Sequence, residues 1–195
     1  GDADKLKSQL KDVVDVGLVS TPTFYAIVAL YGYDGGIQVS ASHNPKEYNG
    51  FKLVRAQAVP ISGDTGIQDI KELVRNFTPL QSSQLGVCTS REGLVHEIVK
   101  KETVEWNVDT TKIRPLKIVV DAANAMGALD VEAIFQGLPC ELIKLNFELD
   151  GSFPSHEADP IKEENLKILC DAVVEHKADL GIAPDGDGDR YFFVD

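Results

Sequence analysis

The 195-residue chain is short of positive charge, of cysteine and of long apolar runs, and each shortage removes a class of function. Lysine and arginine number 19 against 31 aspartates and glutamates, a formal net charge of -12 at pH 7. So acidic a surface repels nucleic-acid phosphates, which excludes general nucleic-acid binding. A phosphate-handling site in such a chain must gather its few cations, or a metal ion, in one place. The three cysteines, Cys88, Cys140 and Cys170, form an odd and widely spaced set. That argues against a disulfide framework and for a reducing, cytoplasmic compartment, with each thiol expected as a small buried side chain. No apolar run approaches the length of a membrane span, and no signal peptide is visible. Gly1-Asp2-Ala3-Asp4-Lys5 reads instead as the opening of an amphipathic helix. The length is generous for one domain and small for two, and 43% hydrophobic residues are enough for an unstapled core.

What the chain does have is Asp185-Gly186-Asp187-Gly188-Asp189-Arg190. Three carboxylates recur at every second residue, and like charges so close require a cation for stability. Glycine between them lets the backbone turn the carboxylates toward one point. Oxygen-only ligands suit a hard ion such as Mg2+. The fork of Arg190 matches phosphate oxygens, and a metal beside a phosphate points to phosphoryl transfer. Two plainer readings compete. Asp-Gly clusters are commonly solvated turns. An EF-hand calcium loop also begins Asp-x-Asp-x-Asp, but it wants glycine at position six, where this chain has Arg190, and glutamate at position twelve, beyond Asp195.

Strand-like and helix-like segments alternate along the chain. Val13 to Ser20 reads as a buried strand, Pro22 to Leu30 as a helix, and Gly36 to Ser40 and Gly50 to Val54 as strands. Asp69 to Phe77 is helical, with Ile70, Leu73, Val74 and Phe77 on one face. Ser90 to Trp106 is helical too, with Ser90 as cap. The polar stretch from Asn107 to Arg114, closed by Pro115, marks a boundary between residues 1–108 and 109–195. Leu116 to Val120 is a near-continuous apolar run, hence a central parallel strand. Helices over Asp130 to Gln136 and Lys162 to Lys177 follow, with strands at Glu141 to Leu145, Leu180 to Ala183 and Tyr191 to Val194. The pattern predicts an α/β fold: two consecutive three-layer α/β/α domains with mixed, largely parallel sheets, the first incomplete at its N-terminus. Ligands in such folds sit beyond the carboxyl ends of strands, where both the Asp cluster and Ser42 fall.

Ser42 lies in Ser40-Ala41-Ser42-His43-Asn44-Pro45. A serine hydroxyl needs help to act as a nucleophile. His43 is adjacent, and Lys52 follows a Tyr48-Asn49-Gly50 bend that can fold it back. An Asn-Pro turn with a capping serine explains the same residues. Ser20, Thr21 and Pro22 read as strand-to-helix punctuation. Tyr25 and Trp106 read as core or rim packing, His96 and His176 as surface or rim residues, and His156 is given no chemistry.

SASHNPKEYNGFKL (Ser40 to Leu53) resembles the active-site loop of the α-D-phosphohexomutases, the phosphoglucomutase and phosphomannomutase superfamily. ADLGIAPDGDGDRYFFVD (Ala178 to Asp195) resembles that family's metal-binding loop with its flanking strands. LKIVVDAANAMG (Leu116 to Gly127) and DGSFPSHEADPIKEENL (Asp150 to Leu166) resemble its second domain, so the likeness covers nearly the whole chain. It implies a phosphoserine enzyme: Ser42 carries a phosphoryl group, gives it to a hexose phosphate and retrieves it from the 1,6-bisphosphate, interconverting hexose 1- and 6-phosphates. By the same resemblance Asp185, Asp187, Asp189 and a phosphoserine oxygen at Ser42 hold Mg2+, Arg190 contacts the phosphate, Lys52 and His43 do acid-base work, and glucose 1,6-bisphosphate is the activating donor. Lys46-Glu47-Tyr48 fits glucose or mannose phosphates better than amino-sugar phosphates.

Members of that family have four domains and more than twice this length. The sugar-binding loop, the serine- and threonine-rich phosphate clamp and an N-terminal strand with its arginine have no counterpart in the sequence. The chain therefore resembles a two-domain fragment, inactive by itself, with a non-catalytic Mg2+- and phosphate-binding module as the alternative.

Overall fold

The computed structural model describes residues 12–77 and 86–195. The first half contains β1 (Asp12–Asp15), α1 (Thr21–Leu30), β2 (Gly35–Val39), β3 (Phe51–Arg55), α2 (Gln68–Arg75), β4 (Val87–Ser90) and α3 (Leu94–Glu105). The second contains β5 (Lys117–Asp121), α4 (Gly127–Phe135), β6 (Glu141–Leu145), α5 (Glu163–His176), β7 (Leu180–Pro184) and β8 (Tyr191–Val194).

The second half is the regular one. Its sheet runs β6-β5-β7-β8, with β5 parallel to both neighbours and β8 antiparallel to β7. The near-continuous apolar run at β5 is explained by cover on both faces. Val119 packs with Leu169, Ala172 and Val173 of α5, while Ile118 and Val120 pack with Val131 of α4. Gly181 lies so close to the Val173 and Leu169 side chains that a Cβ there would clash.

In the first half, β1 and β4 form a parallel pair and β2 and β3 an antiparallel pair. Phe24, Ile27 and Val28 of α1 make a core with Val19, Val54 and, from α3, Leu94 and Ile98. Gly36 is required where the Phe24 ring and Val28 lie against the strand, because any Cβ would overlap them. α3 packs on both α1 and α4, so it joins the two halves. No described helix is long and apolar enough to cross a membrane.

Several expectations need correction. The strand read over Val13 to Ser20 stops at Asp15, because Gly17 takes a positive φ and donates to the Asp15 carboxylate at 2.9 Å. Ser90 does not cap a helix. It closes β4, and α3 starts at Leu94 behind Gly93 in a left-handed conformation. The helix read from Asp130 begins earlier, at Gly127. The helix read over Asp69 to Phe77 ends at Arg75, and Leu73, Val74 and Phe77 are exposed among the described residues. Trp106 is 70% exposed, so it is not a core residue, and Cys88 is exposed on β4. Tyr25 packs at the edge of the first core, and His96 and His176 lie at the surface, as expected.

Candidate active site

Three loops meet at one point. The first follows β2 and carries Ser42 and His43. The second joins β7 to β8 and carries Asp185 to Arg190. The third element is the N-terminal turn of α1. The serine loop and the Asp loop leave the ends of strands, as ligand-binding loops in α/β sheets do.

The Asp loop is shaped by its own backbone. Gly188 N donates to the Asp185 carbonyl at 3.1 Å, and Asp185 N to the Arg190 carbonyl at 3.0 Å. Gly188 has φ +74°, in the left-handed region that glycine enters without penalty. Gly186 lies directly against the Ser42 carbonyl oxygen, where a Cβ could not fit. Thus one glycine makes the turn and the other lets the serine loop touch it.

The carboxylates converge. One oxygen from each of Asp185, Asp187 and Asp189 lies within 4.8 Å of the others. Asp185 and Asp187 are fully buried, whereas the Asp189 side chain is 33% exposed. Burial pushes the Asp185 carboxyl above its ordinary range, the Asp187 charge adds to that, and backbone donation from Arg190 opposes it. For Asp187 burial also works upward. It is outweighed by Lys52 and by the Thr21 and Ser42 hydroxyls, so this carboxyl ends below its ordinary range.

Ser42 has φ +56°, an uncommon backbone conformation for a residue with a side chain. Its amide donates to Ser40 Oγ at 3.0 Å. Its hydroxyl donates to Asp187 Oδ1 at 2.9 Å, and Arg190 Nη2 lies 3.4 Å from Ser42 Oγ. Arg190 also grips Asp185, Nε to Oδ2 at 2.8 Å, and donates to His43 Nδ1. Guanidinium has no acceptor, so His43 Nδ1 is the acceptor and a neutral ring carries its proton on Nε2. His43 Nδ1 is 3.4 Å from Ser42 Oγ.

Lys52 reaches the cluster from β3. It stands opposite Gln38 in the β2–β3 register, so both side chains fall on the same face of the hairpin. Lys52 Nζ donates to Asp187 Oδ2 at 2.5 Å and to Asp189 Oδ2 at 3.0 Å. Burial lowers the affinity of Lys52 for its proton, but Asp187 and Asp189 more than restore it, and its pKa lies above the ordinary value. Lys52 is therefore a cation at neutral pH.

All seven residues singled out from the sequence, Ser42, His43, Lys52, Asp185, Asp187, Asp189 and Arg190, are thus brought together. The sequence reading missed Thr21 and Gln38. Thr21 is 1% exposed; its amide donates to the Asp187 carbonyl at 2.9 Å and its hydroxyl meets Asp187 Oδ2. Gln38, also buried, faces Thr21 Oγ1 at 2.9 Å and donates to the Val19 carbonyl at 3.0 Å. No sequence signal marked Gln38: in Ile37-Gln38-Val39 the polar residue is buried while its apolar neighbours are 48% and 61% exposed, the reverse of the half-buried strand that alternation predicts. His156, given no chemistry from sequence, pairs with buried Asp121 at 3.0 Å in the second half.

The donor set fits a hard divalent cation. It is oxygen-only, convergent and anionic, and the Lys52 ammonium bridging Asp187 and Asp189 shows that the carboxylates attract positive charge at that point. Three aspartates against Lys52 and Arg190 leave a charge of -1 before any phosphate is added.

Both halves of the chain resemble known proteins. Residues 93–195 match the family model "Phosphoglucomutase/phosphomannomutase, alpha/beta/alpha domain II", and residues 6–80 match domain I of the same family. The chain is 44% identical over 196 residues to a phosphomannomutase of Escherichia coli, covering 94% of this chain and 41% of the relative. It is 40% identical over 190 residues to phosphohexose mutases of Xanthomonas campestris pv. campestris (strain B100), covering 97% of this chain and 42% of the relative. It therefore spans about two fifths of the length of these curated relatives. Among solved structures, a phosphoglucomutase/phosphomannomutase family protein from Burkholderia thailandensis superposes with a TM-score of 0.79 at 34% identity, over 98% of this chain and 42% of the other. With models of two successive domains matched in order over most of its length, the chain belongs to the phosphoglucomutase/phosphomannomutase family, the α-D-phosphohexomutases.

Proposed function

We propose that this chain is the phosphoryl-donor and metal-binding part of a Mg2+-dependent phosphohexomutase that interconverts hexose 1-phosphate and hexose 6-phosphate. Glucose and mannose phosphates are the proposed substrates. The observation that carries the proposal is the Ser42 hydroxyl, 2.9 Å from a buried carboxylate of the Asp cluster and beside the Arg190 guanidinium. Ser42 lies in a turn closed by Asn44 N on the Ala41 carbonyl, and a serine so placed can also accept and donate a phosphoryl group. The division of the chain at 108/109 belongs to the same proposal; it is supported by Leu94 and Ile98 of α3, which share the core of α1. A cytoplasmic setting goes with the sugar-phosphate substrates.

In the proposed cycle the phosphoryl group moves from Ser42 Oγ to a hydroxyl oxygen of the sugar phosphate. The P–O bond to serine breaks and the P–O bond to the sugar forms; Lys52 protonates the departing Ser42 oxygen and is reprotonated by the proton that the sugar hydroxyl gives up. The 1,6-bisphosphate then returns its other phosphoryl group to Ser42. Asp185, Asp187 and Asp189, with a phosphoserine oxygen at Ser42, would hold Mg2+, which draws charge from the phosphate as its ester bond breaks. Arg190 is anchored on Asp185 and presents its remaining N–H groups to the Ser42 phosphate. Lys52, being cationic, serves as electrostatic stabiliser and proton donor rather than as a base. His43 presents Nδ1 to Arg190, which leaves Nε2 to assist.

The direct test incubates the protein with Mg2+ and glucose 1,6-bisphosphate and maps phosphate by mass spectrometry. Phosphate on Ser42 is expected. Its absence from Ser42 both here and in a form extended to the length of the relatives would reject the assignment.

A further inference from the structure

We propose that Thr21 is a positioning residue for the cation site: its buried hydroxyl orients the Asp187 carboxylate so that Oδ1 faces Ser42. This rests on reading the Asp cluster as a divalent-cation site. The contact spans 166 residues of sequence, and one residue grips Asp187 twice. The Thr21 amide holds the Asp187 carbonyl at 2.9 Å, and its hydroxyl holds Oδ2. With Thr21 and Lys52 both on Oδ2, the other oxygen, Oδ1, is the one turned to the Ser42 hydroxyl at 2.9 Å. When Ser42 is phosphorylated, its hydroxyl proton is gone and Oδ1 is released toward the phosphate. Without Thr21 only the flexible Lys52 side chain holds Oδ2, and rotation about χ2, a broad two-fold torsion, is less restrained.

Thr21 is itself rigidly mounted. Ser20 caps α1, accepting from Thr23 N at 3.2 Å. Thr23 Oγ1 donates to Asp130 Oδ1 at 3.0 Å, tying α1 to the first turn of α4. Asp130 is buried, and burial holds its carboxyl above the ordinary range while the Ser20 and Thr23 hydroxyls oppose this. The run Ser20-Thr21-Pro22-Thr23 is therefore a mount joining the two halves beneath the Asp loop. The Thr21 hydroxyl has one proton and two acceptors in reach, Asp187 Oδ2 and Gln38 Oε1. The charged acceptor makes the stronger bond.

The test titrates Mn2+ into the protein, with free Mn2+ followed by electron paramagnetic resonance, and compares Thr21→Val with Thr21→Ser. Valine keeps the shape and loses the hydroxyl, whereas serine keeps the hydroxyl. We expect Thr21→Val to bind Mn2+ at least about tenfold more weakly and Thr21→Ser to stay within about threefold of the parent. If valine does not fold, Thr21→Ala against Thr21→Ser isolates the same hydroxyl. Equal Mn2+ affinity across the hydroxyl-bearing and hydroxyl-free variants, whatever their melting temperatures, would overturn the inference while leaving the cation site standing. No Mn2+ binding by the parent, phosphorylated on Ser42 or not, would instead remove the cation site and the inference with it.

Discussion

Gly186 and Ser42, 144 positions apart, are in van der Waals contact through the Ser42 carbonyl oxygen, at a place where no side chain fits. The serine loop and the Asp loop can approach each other because one of them has no Cβ. Gly186→Ala should therefore push the loops apart. Overpacking of this kind costs about 1–3 kcal/mol. We expect a lower unfolding midpoint in urea and a loss of Ser42 phosphorylation by hexose bisphosphate. An alanine variant that unfolds and is phosphorylated like the parent would mean that the two loops need not touch.

Phosphorylation and cation binding should be coupled. The site carries -1 before modification, and phosphoserine adds about -1.5 to -2. At short range such charges cost several kcal/mol even at an effective dielectric of about 20. Isothermal titration should show the phosphorylated protein binding Mg2+ at least about tenfold more tightly than the unphosphorylated one. Equal affinities would contradict the coupling.

Lys52 and His43 should contribute unequally. Lys52 contacts two of the three carboxylates and is held as a cation, whereas Nδ1 of His43 is committed to Arg190. Lys52→Met should slow phosphoryl transfer to and from Ser42 about 100-fold, within the range for positioned acid-base groups. His43→Gln should slow it less than about tenfold. Single-turnover rates measured by quenched flow decide the order, and the reverse ranking would transfer the main role to His43.

The Asp121–His156 pair makes stability depend on pH. The hydrogen bond to Asp121 raises the His156 pKa above its ordinary 6.5, burial opposes this, and the Glu157 carbonyl adds to it. Because the folded-state value lies above the unfolded one, the contribution is complete below about pH 6.5 and is lost as pH rises through the folded-state value. The advantage of the parent over His156→Gln in urea unfolding should therefore shrink from about pH 6 to about pH 9. A constant difference across that window would show that the pair does not titrate.

The sequence carried the local parts of this site well. The acidic loop is legible because its signal lies within six residues: alternating carboxylates, glycines that permit the turn, and Arg190. The neighbouring strand β5, which pairs with β7, is legible because it is apolar at consecutive positions, which follows from burial on both faces. The β4 strand was not legible, since four exposed residues, paired among the described residues with β1 alone, carry no amphipathic period. The exposed Trp106 and Cys88 show the same limit, because residue type predicts burial only on average.

By itself, then, the sequence determined the residue types of the cluster, the alternation that makes an α/β chain, and the positions from which Ser42, Lys52 and the aspartates depart. Only the tertiary structure decided which of them meet and how each carboxylate oxygen is used. That Asp187 offers one oxygen to Ser42 and the other to Lys52 and Thr21 depends on hydrogen bonds across 135 to 166 residues. No periodicity or spacing encodes such contacts, because they arise when separately folded strand ends are packed against one another.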